Sequence, residues 1–214
     1  MWGDRRLSAT GCGQAGATPL RRPRTRAILP ALLLLATFLG AGAASPALRA
    51  LAQDQEIWIL VDTGALTLSV MQGEKLLQRY DNIAIGSNGP TLDKQIRDEK
   101  TPLGEYRIDA IRPSNRFHVF MSIDYPTLDH LHRAVVDGRI SIDEYRRLLK
   151  SWSDGHPLPQ DTVLGGYLGI HGLGDGDEEI HRGVNWTDGC VALTNEEIDD
   201  LVARISVGTR VSIR

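Results

Sequence analysis

The sequence predicts a β-rich mixed α/β fold, in which a single domain of mainly antiparallel strands carries a two-helix insertion. Short apolar runs separated by turn residues fill residues 56–123. Two segments with a helical spacing of apolar residues follow, over about 124–155. Strand-like runs return at residue 163 and again near residue 207. Strands on both sides of a helical segment, with no internal repeat, are typical of one mixed domain.

Six strands are predicted in the first half of this domain. Turn-forming clusters such as Asp62-Thr63-Gly64 and Gln72-Gly73-Glu74 separate the apolar runs, and such clusters are typical of hairpins. The predicted strands cover residues 57–61, 65–71, 75–80, 82–85, 104–111 and 116–123.

Capping signals define three helices. A first helix is predicted over residues 126–137. Ser141 and Glu144 form a capping box for a second helix that ends near Trp152, and these two helices make up the insertion. Another capping box, Thr194-Asn-Glu-Glu197, begins a third helix. The remaining predicted strands are residues 163–171 and 207–213.

The first 52 residues differ from the rest of the chain. A basic start, an apolar run over residues 28–39 and a stretch of small residues are the three parts of a secretory signal. Cleavage after Ala50-Leu51-Ala52 would leave residues 53–214 as the mature domain. The alternative is an N-terminal membrane anchor, although the apolar run is shorter than the ~20 residues of a spanning helix. Both forms imply an exported protein of the periplasm or cell envelope, which contacts the membrane only through an uncleaved leader.

Removal of the leader makes the chain acidic. The leader contains 7 of the 24 basic residues and 1 of the 27 acidic residues, so the mature part carries 17 basic and 26 acidic residues, a net charge of −9. This charge disfavours nucleic acid and anionic membranes as partners, because the domain has no cationic excess with which to neutralise phosphate.

Cysteine usage directs attention to one position. Cys12 lies in the leader, which leaves Cys190 as the single thiol of the mature domain. A lone thiol in an oxidising compartment has no partner for a disulfide, so Cys190 is either an inert core residue or a reactive group. A nucleophilic thiol needs a base, and imidazole suits that role near neutral pH. His171, 19 residues earlier at the end of an apolar run, is the candidate base, with a hydrogen-bonded core histidine as the alternative.

Glycines flank both candidates, in Gly169-Ile-His171-Gly172 and in Trp186-Thr-Asp-Gly189-Cys190. Glycine lets the backbone turn sharply and approach a substrate closely. Free amide hydrogens at such a turn can bind a developing oxyanion. The pattern therefore favours nucleophilic acyl chemistry, provided that the two segments meet in the fold.

This stretch resembles the signature of the L,D-transpeptidases with a YkuD-like catalytic domain. In that family a His-Gly pair precedes, by somewhat under twenty residues, Ser/Thr-His-Gly-Cys and a hydrophobic residue. This chain has His171-Gly172 and Thr187-Asp-Gly-Cys-Val191. The family motif Thr-Pro-x-Gly-x-Tyr after an Ile-Gly pair is matched by Thr101-Pro-Leu-Gly-Glu-Tyr106 and by Ile85-Gly86. The resemblance covers about residues 56–111 and 163–214, and it implies an L,D-transpeptidase-like fold.

The resemblance also implies roles for individual residues. Cys190 matches the nucleophile and His171 the general base. Gly172 matches the position whose backbone carbonyl orients the imidazole, and Gly189 with Cys190 matches the oxyanion-stabilising backbone. The substrate contacts expected around them are Asp188, Thr187, Tyr167 and Trp186.

Two positions depart from the family pattern. Asp188 replaces the histidine before Gly-Cys, and Ala192 replaces an arginine two residues after the cysteine. Loss of that arginine removes a cation able to hold a substrate carboxylate, whereas Asp188 is expected to accept an amine or to orient a histidine. The sequence Thr-Asp-Gly-Cys-Val-Ala-Leu is similar to a divergent branch that includes an amidase that detaches lipoprotein from peptidoglycan.

The activity that the resemblance implies is cysteine-dependent acyl transfer on peptidoglycan stem tetrapeptides, for cell wall cross-linking or protein attachment, without a metal or diffusible cofactor. Two alternatives stay open. One is a hydrolase of the same fold, either an L,D-carboxypeptidase or an amidase that releases a wall-linked lipoprotein. The other is a non-catalytic wall-binding module.

Two further motifs suggest other site types. Ile59-Leu-Val-Asp62-Thr-Gly-Ala65 resembles the active-site strand of aspartic proteases, which would require a dimer because that chemistry needs two carboxylates; the alternative is a hairpin corner. Zinc binding is the second, although its spacings match no tight ligand pair. Its ligands would be His171, His181 and Cys190, completed by Asp175 or Asp177. Otherwise the acidic residues 175–179 are expected in a solvated loop, with attraction of a cationic stem-peptide end as the alternative, and His181 is expected in a loop, with service as a second base as the alternative.

Overall fold

The computed structural model describes residues 55–214, and these contain ten strands and four complete helices. The strands are β1 (Ile57–Asp62), β2 (Thr67–Gln72), β3 (Lys75–Asp81), β4 (Pro90–Thr91), β5 (Thr101–Pro102), β6 (Gly104–Ser114), β7 (His118–Ile123), β8 (Gly169–His171), β9 (Val191–Ala192) and β10 (Arg210–Ile213). The helices are α1 (Leu128–Val136), α2 (Ile142–Ser153), α3 (Glu178–Gly183) and α4 (Asn195–Val202).

Eight of these strands form one sheet in the order β3-β2-β1-β10-β6-β7-β8-β9. Most neighbours are antiparallel, but β1 pairs with β10 and β8 with β9 in parallel. The predicted β-rich, mainly antiparallel mixed fold is confirmed. The parallel pair β8 and β9 forms one end of the sheet, and this end carries both candidate catalytic residues.

The main core follows from alternation along the central strands. Ile59 and Val61 of β1 are completely buried, as is Val211, the partner of Ile59 on β10. Ile198 and Leu201 of α4 belong to the same cluster. Each such side chain contributes about 1.5–3 kcal/mol through burial, so the sheet is a stable base for the residues at its edge.

The two-helix insertion has a smaller core of its own. Helices α1 and α2 follow β7, as the sequence predicts, and their apolar faces meet at Leu131, Ala134 and Leu148. Leu158 and Leu164, in the segment that returns to β8, complete the cluster. Ser141 caps α2 by accepting a hydrogen bond from the Glu144 amide at 3.1 Å, which confirms Ser141 as the cap but supplies only one of the two hydrogen bonds of the predicted capping box.

Several predicted strands are shorter than expected. Residues 82–85 form only an isolated bridge through Ala84, and of residues 163–171 only Gly169–His171 is a strand. Strand β2 begins at Thr67 because Leu66 adopts a positive φ of 52°, which belongs to a turn and not to a strand.

The prediction of a loop over the acidic residues 175–179 is wrong for its second half, because helix α3 begins there. The Asp177 side chain accepts hydrogen bonds from the amides of Glu179 and Ile180, which caps the first turn. This short helix has no apolar stripe long enough to be recognised by periodicity, so only its cap signalled it.

The predicted leader, residues 1–52, and its cleavage site lie outside the described residues. None of the helices within residues 55–214 combines the length and apolar character that a membrane crossing requires.

Candidate active site

The pairing of β8 with β9 brings the two candidate catalytic residues together. Ile170 lies opposite Val191, and His171 lies opposite Ala192. Because side chains alternate along a strand and paired residues share a face, His171 and Cys190 project from the same face of adjacent chain segments.

Both residues line a cavity of about 890 Å³. Cys190 is half-buried at the wall of this cavity, which favours a reactive group over an inert core residue. The four expected substrate contacts, Tyr167, Trp186, Thr187 and Asp188, line the same cavity. The cavity is therefore built around the thiol from residues of distant parts of the chain.

The imidazole of His171 has a defined orientation. Its Nδ1 lies 2.7 Å from the Gly172 carbonyl oxygen, which is the contact expected of Gly172. A carbonyl only accepts hydrogen bonds, so Nδ1 carries the proton of the neutral ring. The lone pair is then on Nε2, where a base must have it.

Aromatic rings surround the His171 side chain, which is 1% exposed. The ring centroids of Phe117, Phe120 and Trp186 lie 4.1, 5.8 and 5.8 Å from that of His171. Burial lowers the pKa of His171 to about 4, and the nearby Arg116 acts in the same direction. The imidazole is therefore neutral at neutral pH.

The Cys190 thiol is also neutral at rest. Burial raises its pKa to about 11, and the charge of Asp188 adds to this rise. Its sulfur lies 3.9 Å from the Tyr167 carbonyl oxygen, and a backbone hydrogen bond at Gly169 acts against burial by lowering the thiol pKa. The site thus holds a thiol and a neutral imidazole, not a thiolate and imidazolium pair, and the proton must move as the sulfur attacks.

A hydrogen-bonded turn holds the nucleophile. The Thr187 hydroxyl donates to the Cys190 carbonyl oxygen at 2.7 Å and accepts from the Gly189 amide at 3.1 Å. Gly189 has a φ of +128°, and a Cβ there would lie 2.5 Å from the Lys100 carbonyl oxygen, so only glycine fits.

This turn alters the expected oxyanion site. Since the Gly189 amide already donates to Thr187, it is not free to stabilise an oxyanion as expected. The Cys190 amide, in contrast, has no hydrogen-bond partner within residues 55–214. Of the two amides expected to stabilise an oxyanion, those of Gly189 and Cys190, only the Cys190 amide is therefore available to a substrate oxygen.

Cations line the cavity as well. Arg112 and Arg116 lie over the rings of Phe120 and Phe117, with guanidinium carbons 5.9 and 4.8 Å from the ring centroids. Within the part of the chain that the structure describes, neither arginine has a carboxylate within ion-pair distance. The carboxylate of Asp188 is exposed at the same cavity.

His181 was expected in a loop, but it lies on α3 and is buried, with 3% of its surface exposed. Its Nδ1 accepts a hydrogen bond from Trp186 Nε1 at 3.2 Å. His181 therefore supports Trp186, whose ring meets His171 edge-on. Sequence reasoning missed this role because the signal, a histidine five residues before a tryptophan, has no meaning without the α3 turn.

The other two site types find no support in the structure. Asp62 Oδ1 accepts hydrogen bonds from the amides of Gly64 and Ala65, so this aspartate is the corner of the β1–β2 hairpin. Among residues 55–214 there is no group of three histidine, cysteine or acidic side chains that could hold a metal ion.

The fold and the site together define a β-rich domain with a cysteine and a histidine at the cleft formed by its last parallel strand pair. The model of the YkuD family, described as the L,D-transpeptidase catalytic domain, matches residues 56–213. The chain belongs to this family.

Solved structures with a similar fold include Bd1075 from Bdellovibrio bacteriovorus, which is 20% identical with a TM-score of 0.48. The helical cell shape determining protein Pgp2 from Campylobacter jejuni is 18% identical, also with a TM-score of 0.48. The match covers 76% of this chain and 49% of Bd1075, and 74% of this chain and 47% of Pgp2, so it spans about half the length of each.

The catalytic domain of an Enterococcus faecium L,D-transpeptidase is 17% identical with a TM-score of 0.38, over 75% of this chain and 98% of that domain. A search of curated proteins found no significant match.

Proposed function

We propose that the protein is a peptidoglycan L,D-transpeptidase that forms a thioester between Cys190 and a stem tetrapeptide. The observation that carries the proposal is the neutral pair of Cys190 and His171 at a large cavity in a domain of this family, where the Nε2 lone pair of His171 has no partner among residues 55–214. Such a pair supplies the nucleophile and base of acyl transfer without a metal or cofactor.

In the first step, the Cys190 sulfur attacks the carbonyl of the third stem residue, and its proton moves to His171 Nε2. The tetrahedral oxyanion is stabilised by the Cys190 amide. When the peptide bond to the terminal D-alanine breaks, His171 returns the proton to the departing amine. The product is a thioester, and D-alanine is released.

In the second step, an amine attacks the thioester and passes a proton to His171, which then protonates the leaving sulfur. An amine on a neighbouring stem gives a cross-link that contributes to cell wall organization and cell shape. An amine on a lipoprotein gives protein attachment. Water as acceptor would make the same site a carboxypeptidase or an amidase, that is, a hydrolase.

The lining of the cavity supports an anionic peptide as acyl donor. Stem peptides carry several carboxylates, and Arg112 and Arg116 offer guanidinium groups that no protein carboxylate occupies within residues 55–214. These two arginines can bind the substrate carboxylate in place of the family's arginine, whose position is occupied by Ala192 in this chain. The exposed carboxylate of Asp188 is suited to accept hydrogen bonds from the ammonium group of a diaminopimelate side chain.

The test is to incubate the purified protein with defined tetrapeptide muropeptides, with and without an amine acceptor, and to weigh the products. We expect release of D-alanine and an acceptor adduct, and neither with Cys190→Ala. Hydrolysis alone would assign the carboxypeptidase activity. Binding of sacculi without any product would overturn the proposal in favour of a wall-binding module. Loss of turnover in Asp62→Asn together with full turnover in Cys190→Ala would instead indicate the aspartic protease.

We also propose that the protein is exported to the periplasm or cell envelope. The basic and apolar pattern of residues 1–52 supports this location. Mass spectrometry of the protein from cell fractions would show a new N-terminus at Gln53 if the leader is cleaved. An intact N-terminus in the inner membrane would indicate an anchor, and an intact cytoplasmic protein would contradict export.

A further inference from the structure

A buried lysine lies beside the turn that carries the nucleophile. Lys94 is 3% exposed, although it belongs to a polar loop between β4 and β5. Its Nζ donates hydrogen bonds to Asp98 Oδ1 at 2.5 Å and to the Asp188 carbonyl oxygen at 3.0 Å. Burial of a lysine is costly unless its charge is paired, and here the Asp98 carboxylate supplies the pair.

The second hydrogen bond connects Lys94 to the reactive segment. The Asp188 carbonyl belongs to the peptide bond that joins Asp188 to Gly189, the residue before Cys190. A Cβ on Gly189 would lie only 3.1 Å from Lys94 Nζ, so the ammonium group packs directly against the turn that precedes Cys190. Lys94 also lines the catalytic cavity. Its charge is thus fixed beside the turn that carries Cys190, on a side chain that is almost completely buried.

Several charges face Cys190 together. Arg116 and Lys94 favour the thiolate, Asp188 opposes it, and His171 is neutral. Arg116 is exposed, so solvent screens its charge, whereas the charge of Lys94 is shielded from solvent. Lys94 is therefore the cation best placed to offset Asp188, the residue in which the nucleophile motif of this chain departs from that of its family.

We propose that Lys94 is a positioning residue for Cys190: it fixes the Asp188–Gly189 peptide so that the Cys190 amide faces the cavity, and its charge favours formation of negative charge on the sulfur. The effect on the oxyanion rests on the proposed function. The effect on the thiol does not, since thiolate formation can be measured without any peptide substrate.

The experiment compares Lys94→Met, Lys94→Gln and Lys94→Arg with the wild-type protein. Iodoacetamide alkylation is followed by mass spectrometry of the peptide that contains Cys190, between pH 6 and pH 9, because the reagent reacts with the thiolate. Gln retains a donor for the Asp188 carbonyl without the charge, and Arg retains the charge. Thermal melting of each variant verifies folding.

We expect Lys94→Met and Lys94→Gln to be alkylated about tenfold more slowly at each pH, which corresponds to about one unit in the thiol pKa. We expect Lys94→Arg to remain within about threefold of the wild type. Folded Met and Gln variants that react at the wild-type rate would overturn the proposal. So would an Arg variant that melts like the wild type but reacts as slowly as Met, because the charge would then have no role.

Turnover of muropeptides separates this proposal from the proposed function. We expect Lys94→Gln to lower kcat at least tenfold with KM nearly unchanged, because Lys94 acts through the nucleophile turn. If the wild type has no turnover while alkylation still depends on Lys94, the proposed function fails and the role of Lys94 stands. If the wild type turns over and Lys94→Gln matches it in both assays, the positioning role of Lys94 is refuted and the proposed function stands.

Discussion

Two buried histidines in this protein look alike and differ in what their nitrogens contact. His171 lies at the catalytic cleft and His130 lies on α1 of the helical insertion, 1% and 4% exposed. Both have aromatic neighbours, Phe117 for His171 and Tyr125 for His130, with centroids 4.1 and 4.7 Å away. Burial lowers the pKa of each to about 4.

The hydrogen bonds distinguish them. The Nδ1 of His130 lies 2.8 Å from the Thr127 hydroxyl, and its Nε2 lies 3.1 Å from the Tyr106 hydroxyl, so both nitrogens are occupied. His171 uses only Nδ1, and the rest of its polar edge faces the cavity with Cys190. A shifted pKa therefore does not identify a catalytic histidine here. A ring nitrogen left free at a cavity is what distinguishes the proposed base, His171, from His130.

The largest effect should come from removal of each imidazole in turn. We expect His171→Asn to reduce kcat/KM at least ~1,000-fold, because the thiol loses its base, and His130→Asn to stay within about threefold. Both rates are measured on the same muropeptide, with circular dichroism as a control for folding. Equal losses in the two variants would mean that a free ring nitrogen does not predict which histidine is needed for turnover.

The two histidines should contribute similarly to acid sensitivity. Because both folded-state pKa values are about 4, below the ordinary 6.5, the unfolded chain binds protons between these values that the folded chain does not. Stability should therefore fall as the pH drops from 6.5 to 4, by on the order of 3 kcal/mol for each histidine, and then cease to fall on their account. Urea unfolding across this range, on the wild type and both Asn variants, measures the difference. A variant with the wild-type slope would show that its histidine titrates normally.

At neutral pH, His130 should contribute more to stability than His171, whereas His171 contributes more to activity. His130→Asn loses two hydrogen bonds and leaves the buried Tyr106 hydroxyl less well satisfied, so we expect a loss of about 2 kcal/mol in the free energy of unfolding. His171→Asn loses one bond to the Gly172 carbonyl and should cost about half as much. Urea titration at pH 7 gives both values, and a larger cost for His171→Asn would contradict the assignment.

The smallest effect concerns the aromatic neighbours of His171. Phe117→Leu admits water beside the imidazole, so the His171 pKa should rise from about 4 by less than about one unit. The acid limb of kcat/KM should move upward by the same amount, which a pH profile from about 3 to 7 would detect. Trp152→Leu, at an exposed position of α2, is the matched control: its ring lies outside the catalytic cavity, so its acid limb should not move.

Local signals allowed much of this fold to be predicted. The box of Thr194 and Glu197 is present, with both reciprocal hydrogen bonds, because a cap depends on residues three apart. The hairpin corner at Asp62 and the order of strands and insertion were equally readable. The nucleophile and its base required the family signature, since 19 residues of spacing do not determine which strands pair.

Lys94 illustrates why other features of the site could not be predicted from the sequence. It lies in a polar stretch with no apolar periodicity, which indicates an exposed loop, yet it is buried by contact with Asp188, 94 residues later. The occupied amide of Gly189 was missed for a similar reason, because it depends on the conformation of a single turn. Pairwise contacts between distant segments leave no periodic trace in a sequence.

The position of β10 in the sheet has a consequence for how the domain folds. Strand β10 (Arg210–Ile213) lies between β1 and β6, two strands that precede it in the chain by roughly a hundred residues or more, and it joins the strand groups on either side. Without β10 the sheet would be divided into two pieces with open edges, and pairing between segments so distant in the chain is of the kind that slows folding and favours aggregation. Loss of these four residues would leave every catalytic side chain in the polypeptide and no single platform to hold them.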